Sequence, residues 1–239
     1  MDGRRDWWVL VGGRSRVGRA LAEALAPRRN LVLTSSRSWE GEESWLEGLS
    51  TEVRAWSWDA RDPGLGSTMM ADLDSMGAEG LEPGAAVIVA GLFPAQPLGT
   101  WTAEALDALW SVNLTFPLLA AQALAPRIAT GGTLQFLLDA AIHRPFPSRL
   151  PYSAAKAALA AMVPGLARVL APRVRVSGHA LGTVLAGDHD DPEALARATP
   201  LGRTGSVEDL VRSLEFVAAS PYLTGEVLTL DGGWRLGRG

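Results

Sequence analysis

Short apolar segments of strand length alternate with amphipathic segments along this chain, and the first three of them set the pattern. An apolar run at residues 7–11 ends in Gly12-Gly13, and a segment with helical periodicity follows at residues 20–26. A second apolar run of strand length comes next, at residues 31–34. This order predicts a strand, a glycine turn, a helix and a second strand, which together form a β-α-β unit.

The same alternation continues to the end of the chain. Further strands are predicted at residues 53–58, 85–90, 132–138, 174–177 and 226–230, and further helices at 65–76, 102–124, 152–170, 191–198 and 207–219. Pro117 and Pro164 predict irregularities inside two of these helices, since proline cannot donate to the helical hydrogen-bond ladder. The pattern predicts an α/β fold with one domain over residues 1–239, in which helices cover both faces of a doubly wound parallel sheet.

Composition excludes several kinds of site. The chain has no cysteine, which rules out disulfides, thiolate metal sites and cysteine nucleophiles. His143, His179 and His189 show no metal-ligand spacing, so we expect no metal and place these histidines on the surface or in loops. The net charge of −4 gives no reason to expect nucleic acid or a membrane surface as a partner. No apolar run approaches the roughly 18 residues of a membrane span, and no signal-peptide pattern is present, so the expected compartment is the cytoplasm.

The glycine turn after the first strand is suited to binding an anion. Gly12, Gly13 and Gly18 allow a tight turn in front of a helix, and the helix N-terminus carries partial positive charge. Glycines alone could also make a tight turn that binds nothing. In a β-α-β unit, however, such a turn commonly binds the pyrophosphate of a dinucleotide.

The end of the second strand indicates which dinucleotide is bound. A chain that binds NADH usually has an acidic residue there for the ribose hydroxyls. This chain has Thr-Ser-Ser-Arg-Ser at residues 34–38, with no carboxylate before Glu40. Arginine and serine side chains suit a 2′-phosphate, and Arg14 and Arg16 in the first turn add positive charge. We therefore expect NADPH, the alternative being a solvated basic loop.

Lys156 is the only lysine among the 22 basic residues of the chain. It follows Tyr152 by four positions in a predicted helix, which puts the two side chains one turn apart on nearly the same face. A nearby cation would lower the pKa of the phenol from its usual value near 10. Tyr152 is therefore a candidate general acid or base. The alternative is an ordinary amphipathic helix with a half-buried tyrosine and a solvated lysine.

Polar residues also stand at the ends of two further strands and inside one helix. Asp59 follows the third strand and could contact an adenine edge or cap the turn before Pro63; the sequence leaves both open. Asp139 follows the fifth strand. Asn113 falls within a predicted helix, where asparagine is usually only tolerated.

These features in this order resemble the short-chain dehydrogenase/reductase family over essentially the whole chain. The resemblance rests on the glycine turn, Asp59, Asn113, the Tyr152/Lys156 pair and the ending Leu-Thr-Gly…Asp-Gly-Gly at residues 223–233. It implies a Rossmann fold with about seven strands and a homotetramer assembled through two long helices and the C-terminal strand. It also implies that Tyr152 donates a proton, that Lys156 holds the nicotinamide ribose and lowers the tyrosine pKa, and that Asn113 keeps a water.

The resemblance further implies the residues that contact NADPH. They are Gly12, Arg14, Ser15, Arg16, Val17, Gly18, Ser36, Arg37, Ser38, Asp59, Ala60, Ala90, Gly91, Tyr152, Lys156 and Gly182.

Several positions depart from the usual pattern of the family. Val11 replaces a threonine before the first loop, residues 88–91 read Ile-Val-Ala-Gly in place of Asn-Asn-Ala-Gly, and Leu181-Gly182 replaces Pro-Gly. Two further departures are similar to the pteridine reductase and dihydromonapterin reductase branch: Arg16 replaces a glycine, and Asp139 replaces the catalytic serine. In that branch an aromatic residue at the position of Phe93 packs on the pterin ring, and residues 187–191 resemble its substrate-side loop.

This resemblance implies a flat, hydrogen-bonding substrate. The Phe93 ring, the Arg16 guanidinium and the Asp139 carboxylate match a pterin, which is planar and rich in donors and acceptors. We expect an NADPH-dependent reductase of a pteridine, with Asp139 and Tyr152 as the proton-donating pair and Arg16, Phe93, Asp139 and Tyr152 around the substrate. The alternatives are a carbonyl or 3-oxoacyl reductase of the same family, or a protein that binds NADP(H) without catalysis. Trp234 could approach the substrate mouth or a neighbouring subunit, and the sequence favours neither.

Overall fold

Seven parallel strands form one sheet in the computed structural model, which describes residues 6–187 and 190–237 of the chain. The strands are β1 (Trp7–Val11), β2 (Asn30–Ser35), β3 (Val53–Ser57), β4 (Ala85–Ile88), β5 (Thr133–Asp139), β6 (Arg175–Leu181) and β7 (Val227–Leu230). Their order across the sheet is β3-β2-β1-β4-β5-β6-β7. The winding direction therefore reverses between β1 and β4, which is where doubly wound sheets bind ligands. The predicted fold class is confirmed.

Helices pack on both faces of the sheet. They are α1 (Arg16–Leu25), α2 (Glu43–Gly48), α3 (Leu65–Ala78), α4 (Ala103–Trp110), α5 (Phe116–Leu124), α6 (Leu150–Leu170), α7 (Pro192–Arg197) and α8 (Val207–Ala219), within the described residues. One face of the sheet is covered by α3, α5 and α6, and the other by α1 and α8. Side chains of β1 alternate between these layers, as the pleat requires: Val9 packs with the first and Leu10 with the second.

Three elements differ from the sequence-based expectation. The short helix α2 was not predicted, because it has no buried residue and so no apolar periodicity. Helix α1 begins at Arg16, earlier than predicted, because the hydroxyl of Ser15 accepts from the N–H of Gly18 at 3.0 Å and caps the helix start. Strand β6 continues to Leu181, where the prediction ended at residue 177.

The predicted single helix at residues 102–124 is two helices joined by a π-helical turn, Ser111–Thr115. Pro117 follows this turn and has no N–H to donate to the carbonyl four residues earlier. The widened turn and the proline therefore form one irregularity in the chain. Short π-helical turns inside helices occur often at functional sites, and this one contains Asn113.

Tryptophans contribute to the core of the sheet. Trp7, Trp8 and Trp58 are buried, and Trp56 is partly buried against the first of the two layers. Trp58 keeps its polar atom satisfied, since its indole N–H donates to Asp72 at 2.8 Å. These residues surround the N-terminal half of the sheet.

His179 is not a surface residue, and the prediction that placed it there is wrong. Its side chain on β6 is fully buried; Nε2 lies 2.8 Å from Gln135 Oε1 and Nδ1 lies 2.9 Å from the hydroxyl of Ser213. Because the amide oxygen can only accept, Nε2 carries the proton and Nδ1 accepts from Ser213. Burial lowers the pKa of His179 to about 4. His143 is exposed as expected, and His189 lies outside the described residues.

Helix α6 is apolar along most of its length. Together with the turn before it, the segment Pro147–Leu170 is long and apolar enough to cross a membrane by length and composition, with a mean hydropathy of 1.3 in its best window. Its inner face, however, buries Tyr152, Lys156, Leu159 and Val163 against the protein. Amphipathic packing of this kind is what a core helix of an α/β fold requires.

Candidate active site

Two adjoining cavities open at the carboxyl edge of the sheet, where β1 and β4 separate. The first has a volume of about 920 Å³ and lies over the glycine turn and the ends of β2 and β3. The second has a volume of about 330 Å³ and lies over the end of β5 and the start of α6. Arg16, Gly91 and Leu92 line both cavities, so a ligand in one would lie directly beside a ligand in the other.

The predicted residues divide between these cavities. Those that line the first are Gly12, Arg14, Ser15, Arg16, Ser36, Arg37, Asp59, Ala60, Ala90 and Gly91. Those that line the second are Arg16, Val17, Gly91, Phe93, Asp139, Tyr152, Lys156 and Gly182. Gly18, Ser38 and Asn113 line neither cavity; Gly18 and Asn113 are buried, and Ser38 is exposed.

The glycine turn forms one wall of the first cavity. Gly12 has a φ of +97°, which L side chains rarely adopt, and a Cβ there would lie 2.9 Å from the backbone nitrogen of Ala90. A Cβ on Gly18 would lie 2.2 Å from the carbonyl oxygen of Gly12. Both glycines are therefore needed for the N-terminus of α1 to approach the cavity, as an anion site at a helix start requires.

Basic residues surround the end of β2, but one of them is already paired. Arg14 forms an ion pair with Glu42, with Nη2 2.7 Å from Oε1, and it also donates to the carbonyl of Ser38. Arg19 pairs with the same carboxylate. The positive charge that Arg14 adds at this cavity is therefore partly offset by Glu42, a partner that lies too far along the chain to be recognised from the sequence. Arg37 lines the cavity and has no ion-pair partner among the described residues.

Asp59 caps the turn before Pro63, one of the two roles that the sequence left open, and a contact with an adenine edge stays a prediction. Its Oδ1 accepts from the backbone N–H of Arg61 at 3.0 Å, which caps the turn, and its carboxylate also lines the first cavity. The Arg61 guanidinium lies 2.7 Å from Oδ2. Hydrogen bonding to Arg61 lowers the pKa of Asp59, so this residue stays ionised beside the cavity.

Asp139 and Tyr152 form a hydrogen-bonded pair in the second cavity. Asp139 is the last residue of β5, and Tyr152 lies in the first turn of α6; the phenol O–H donates to Oδ2 at 2.9 Å. The other carboxylate oxygen accepts from the N–H of Ala141 at 2.8 Å. Burial raises the pKa of Asp139, and burial together with the Asp139 charge raises the pKa of Tyr152 above its usual value. Both groups are thus biased toward holding a proton.

Lys156 is buried beside this pair and is not a solvated end of the helix. Its Nζ donates to the carbonyl of Leu137 at 3.0 Å and lies 5.9 Å from the centre of the Tyr152 ring. Burial lowers the pKa of Lys156 to about 8, against the opposing effect of the Asp139 charge. Lys156 lowers the pKa of Asp139. Arg149 opposes the rise in the pKa of Tyr152, and the lowering of that pKa by Lys156 stays a prediction.

Asn113 is fixed by two hydrogen bonds in the π-helical turn. Its Oδ1 accepts from the N–H of Leu92 at 3.1 Å, and its Nδ2 donates to the carbonyl of Leu109 at 3.0 Å. The side chain is fully buried. A Cβ on Gly91 would lie 3.0 Å from the Asn113 oxygen and 3.4 Å from Lys156 Nζ. Asn113 therefore joins α4 to the end of β4, next to the lysine.

Aromatic side chains form the outer wall of the second cavity. The Phe93 ring is half exposed and meets Tyr152 edge-on, with 4.7 Å between ring centres. Phe146 lies 5.6 Å from Phe93 and 5.2 Å from Trp234. Trp234 thus lies at the mouth of this cavity. Phe146 and Arg149 were missed by sequence reasoning, although their position just before Tyr152 was an available signal.

Arg16 connects the two cavities with the segment after β6. Its Nη1 donates to the carbonyl of Ala186 at 2.9 Å. In the same segment the N–H of Gly187 donates to Asp190 at 2.6 Å, and Asp190 lines the second cavity. Of the predicted substrate-side loop at 187–191, Asp188 and His189 lie outside the described residues. The described part of the loop lies beside the second cavity through Asp190.

Comparisons with known proteins agree with this architecture. A family model described as enoyl-(acyl carrier protein) reductase matches residues 13–235. The chain is 28% identical to a dihydromonapterin reductase of Enterobacter sp. (strain 638), over 94% of this chain and 95% of that protein. It is 27% identical to carbonyl reductase family member 4 of Danio rerio, over 95% of this chain and 97% of that protein. A short chain dehydrogenase of Burkholderia cenocepacia J2315 in complex with NADP superposes with a TM-score of 0.82 at 27% identity, covering 96% of this chain and 97% of that one.

Proposed function

This chain belongs to the short-chain dehydrogenase/reductase family and is an oxidoreductase, and from this premise we propose that it reduces a pteridine with NADPH. NADP(H) is the cofactor, as in the complex of the related B. cenocepacia protein. When bound, it supplies the hydride. The substrate class and the role of each residue are our proposal.

The first cavity fits the cofactor in size, shape and charge. A volume of about 920 Å³ lies within the range of cavities that hold small molecules and cofactors. Gly12 and Gly18 keep the turn free of side chains, and the N-terminus of α1 lies beside it. Arg37 at the end of β2 would bind the 2′-phosphate, and Asp59, which lines the same cavity, would contact the adenine edge. Lys156 would hold the nicotinamide ribose, and Asn113 would keep a water beside it.

The hydrogen bond between Tyr152 and Asp139 is the observation that carries the substrate assignment. A simple carbonyl acquires negative charge on oxygen during reduction, and a carboxylate beside that oxygen would oppose it. In a pteridine, by contrast, one ring nitrogen takes up a proton during reduction. Other N–H groups of the ring system can donate hydrogen bonds to a carboxylate. Tyr152 donates that proton, and Asp139 orients the phenol and keeps it neutral until transfer.

The walls of the second cavity suit a flat ring. Phe93 presents an aromatic surface on one side, and Arg16 lies where the two cavities join. An aromatic face and a guanidinium are complementary to a planar heterocycle that carries acceptors.

The proposal is tested by NADPH oxidation with dihydrobiopterin or dihydromonapterin as substrate. We expect pteridine-dependent oxidation of NADPH, followed at 340 nm or by product analysis. A purified, folded protein that binds NADPH but oxidises it with neither pteridine would overturn the substrate assignment while leaving the family assignment intact.

Reduction of a carbonyl or 3-oxoacyl substrate is the second candidate, favoured by the similarity to carbonyl reductase family member 4 of D. rerio. In that reading Asp139 is incidental to the chemistry. A panel of ketones and 3-oxoacyl thioesters, compared with pteridines at equal concentration, separates the two candidates by their kcat/KM values.

We further propose that the chain forms a homotetramer in the cytoplasm. Exposed apolar side chains on α4, α5 and α6, namely Trp110, Leu119, Met162 and Val169, support an interface on this side of the protein. Light scattering of the purified protein gives the mass directly, and a monomer at micromolar concentration would contradict the assembly.

A further inference from the structure

The mouth of the second cavity carries a row of three aromatic rings with an arginine at each end. The row consists of Phe93, Phe146 and Trp234, with 5.6 Å and 5.2 Å between successive ring centres. The guanidinium of Arg149 lies 4.2 Å from the centre of the Phe93 ring, and that of Arg144 lies 5.1 Å from Trp234. All three rings line the cavity.

Within residues 6–187 and 190–237, neither terminal arginine has a carboxylate partner. Arg144 donates to the carbonyl of Trp234 at 3.3 Å, and Arg149 donates to the carbonyl of Phe93 and the hydroxyl of Ser148, each at 3.4 Å. These are long contacts to neutral acceptors. Since a guanidinium has five N–H donors, most donors of both arginines remain available.

Several other arginines of this acidic chain pair with carboxylates. Arg61 and Arg203, for example, each lie 2.7 Å from a carboxylate. The chain has 26 acidic and 22 basic residues, so carboxylates outnumber basic side chains. Among the described residues, however, no carboxylate forms an ion pair with Arg144 or Arg149. The mouth of the second cavity is therefore cationic as well as aromatic.

We propose that Arg149, assisted by Arg144, binds an anionic group of the substrate, a carboxylate in the first place, that lies beyond the reacting ring. The proposal rests on the proposed function in one respect, because it takes the second cavity as the substrate site. Arg149 is the primary contact because it flanks Phe93, the ring that touches Tyr152. Arg144 lies at the far end of the row, against Trp234, and adds electrostatic attraction for the same anionic group. A guanidinium presents a planar fork that matches a carboxylate.

The proposed site predicts that, within each chemical class of substrate, the anionic member binds more tightly than the neutral one. A pteridine whose side chain ends in a carboxylate is preferred over one whose side chain has only hydroxyl groups. Among carbonyl compounds, an aldehyde with a carboxylate is preferred over its neutral ester. The aromatic row contacts the flat body in both cases. Charge is the main difference within the aldehyde pair, whereas the two pteridines also differ in the size of the side chain, so for them the informative quantity is the effect of removing the arginine charge.

Binding to the NADP⁺-loaded protein tests the first pair, with folate as the anionic probe and biopterin as the neutral one. By calorimetry we expect folate to bind more tightly. Arg149→Gln should weaken folate binding roughly tenfold and Arg144→Gln about threefold, the range for charged contacts at a partly exposed site. Biopterin binding should change less than about twofold. Arg168→Gln, a matched control on the exposed side of α6, should leave both unchanged.

Turnover of 4-carboxybenzaldehyde and of its methyl ester tests the second pair and does not depend on pteridine reduction. We expect the wild type to have a lower KM for 4-carboxybenzaldehyde than for the methyl ester. This difference should disappear in Arg149→Gln and should largely persist in Arg149→Lys, which retains the charge. Raising the salt concentration from about 50 to about 300 mM should reduce the difference in KM between the acid and the ester, because salt screens the charge.

Equal losses for the charged and neutral members of both pairs would show that Arg149 only positions Phe93, and would overturn the proposal. So would a wild-type protein without preference for either anionic probe, even if it reduced pteridines. If pteridines were not reduced but the acid aldehyde were preferred through Arg149, the anion site would stand and the proposed pteridine substrate would fall.

Discussion

The hydroxyl of Tyr152 donates to Oδ2 of Asp139 across 2.9 Å, which joins the first turn of α6 to the last residue of β5. Tyr152 is buried and Asp139 is partly buried, and the second carboxylate oxygen accepts from the N–H of Ala141. Asp139 thus accepts from a backbone donor and a phenol at once. This arrangement holds the phenol oxygen at the floor of the second cavity.

Replacing Asp139 with asparagine should disrupt this pair without changing its size. The amide oxygen of the new side chain would accept from Ala141, so its NH₂ group would donate to the phenol and reverse the direction of the hydrogen bond. We expect kcat for pteridine reduction to fall by about 10²-fold or more, the usual contribution of a general acid–base group. Stopped-flow measurement of NADPH oxidation checks this.

Asp139→Ser provides the contrasting outcome. A serine hydroxyl can donate to a carbonyl oxygen, so the ratio of kcat/KM for ketones to that for pteridines should rise. An unchanged ratio would show that Asp139 does not determine the substrate class.

Tyr152→Phe removes the proposed proton donor and leaves the ring that touches Phe93. We expect a loss of turnover of about 10² to 10⁴-fold, with NADPH binding preserved because the first cavity is not altered. Fluorescence titration of NADPH alongside turnover separates the two effects. Full activity in this variant would rule out the phenol as the acid.

Lys156→Met should make the protein more stable and inactive. A buried ammonium destabilises the fold at neutral pH, since burial lowers the pKa of Lys156 to about 8 while the unfolded value is near 10.4. The unfolded chain therefore binds the proton more strongly, and the penalty is fully present below pH 8. Allowing for the lost hydrogen bond to Leu137, we expect a gain of about 1 kcal/mol, or roughly 2–4 °C in the thermal midpoint.

Differential scanning calorimetry at pH 7 measures this shift. When the measurement is repeated at pH 10, the unfolded lysine also begins to lose its proton. The difference in thermal midpoint between the variant and the wild type should then be smaller. An advantage that grew with pH would contradict the sign of the effect.

Arg37→Gln should weaken NADPH binding and leave NADH binding nearly unchanged. Arg37 lines the first cavity at the end of β2 and has no ion-pair partner among the described residues, so its charge is available for a 2′-phosphate. We expect the dissociation constant of NADPH to rise roughly tenfold, as for a charged hydrogen bond. NADH serves as the internal control, and equal weakening of both cofactors would contradict the assignment.

Acid should destabilise the fold through His179. Burial lowers the pKa of this imidazole to about 4, whereas the unfolded value is near 6.5. Between these values the unfolded chain binds a proton that the folded chain does not, so the free energy of unfolding falls as the pH falls. The full loss from this residue is about 3 kcal/mol.

Urea unfolding between pH 7 and 4.5 measures that loss, with His179→Gln as the test and His143→Gln as the matched control. The first variant should be less stable at pH 7 but should show a flatter pH dependence. The control should follow the wild type, because His143 is exposed.

Much of the fold could be predicted from the sequence because it is expressed in local patterns. The strand-length apolar runs, the glycines at positions 12, 13 and 18 and the spacing of Tyr152 and Lys156 are all read within a few residues. They predicted the parallel sheet and the helix that carries the pair. Where local patterns are weak, as in the polar helix α2, the prediction failed.

Partnerships between distant residues could be decided only by the tertiary structure. Glu42 neutralises Arg14 from 28 positions away, His179 is buried against Gln135 and Ser213 from other elements, and Arg149 flanks Phe93 across 56 positions. The sequence by itself determined which chemical groups the chain possesses and which of them stand at strand ends. Only the folded chain decided their burial and their partners, because desolvation and hydrogen bonding depend on which distant elements pack together.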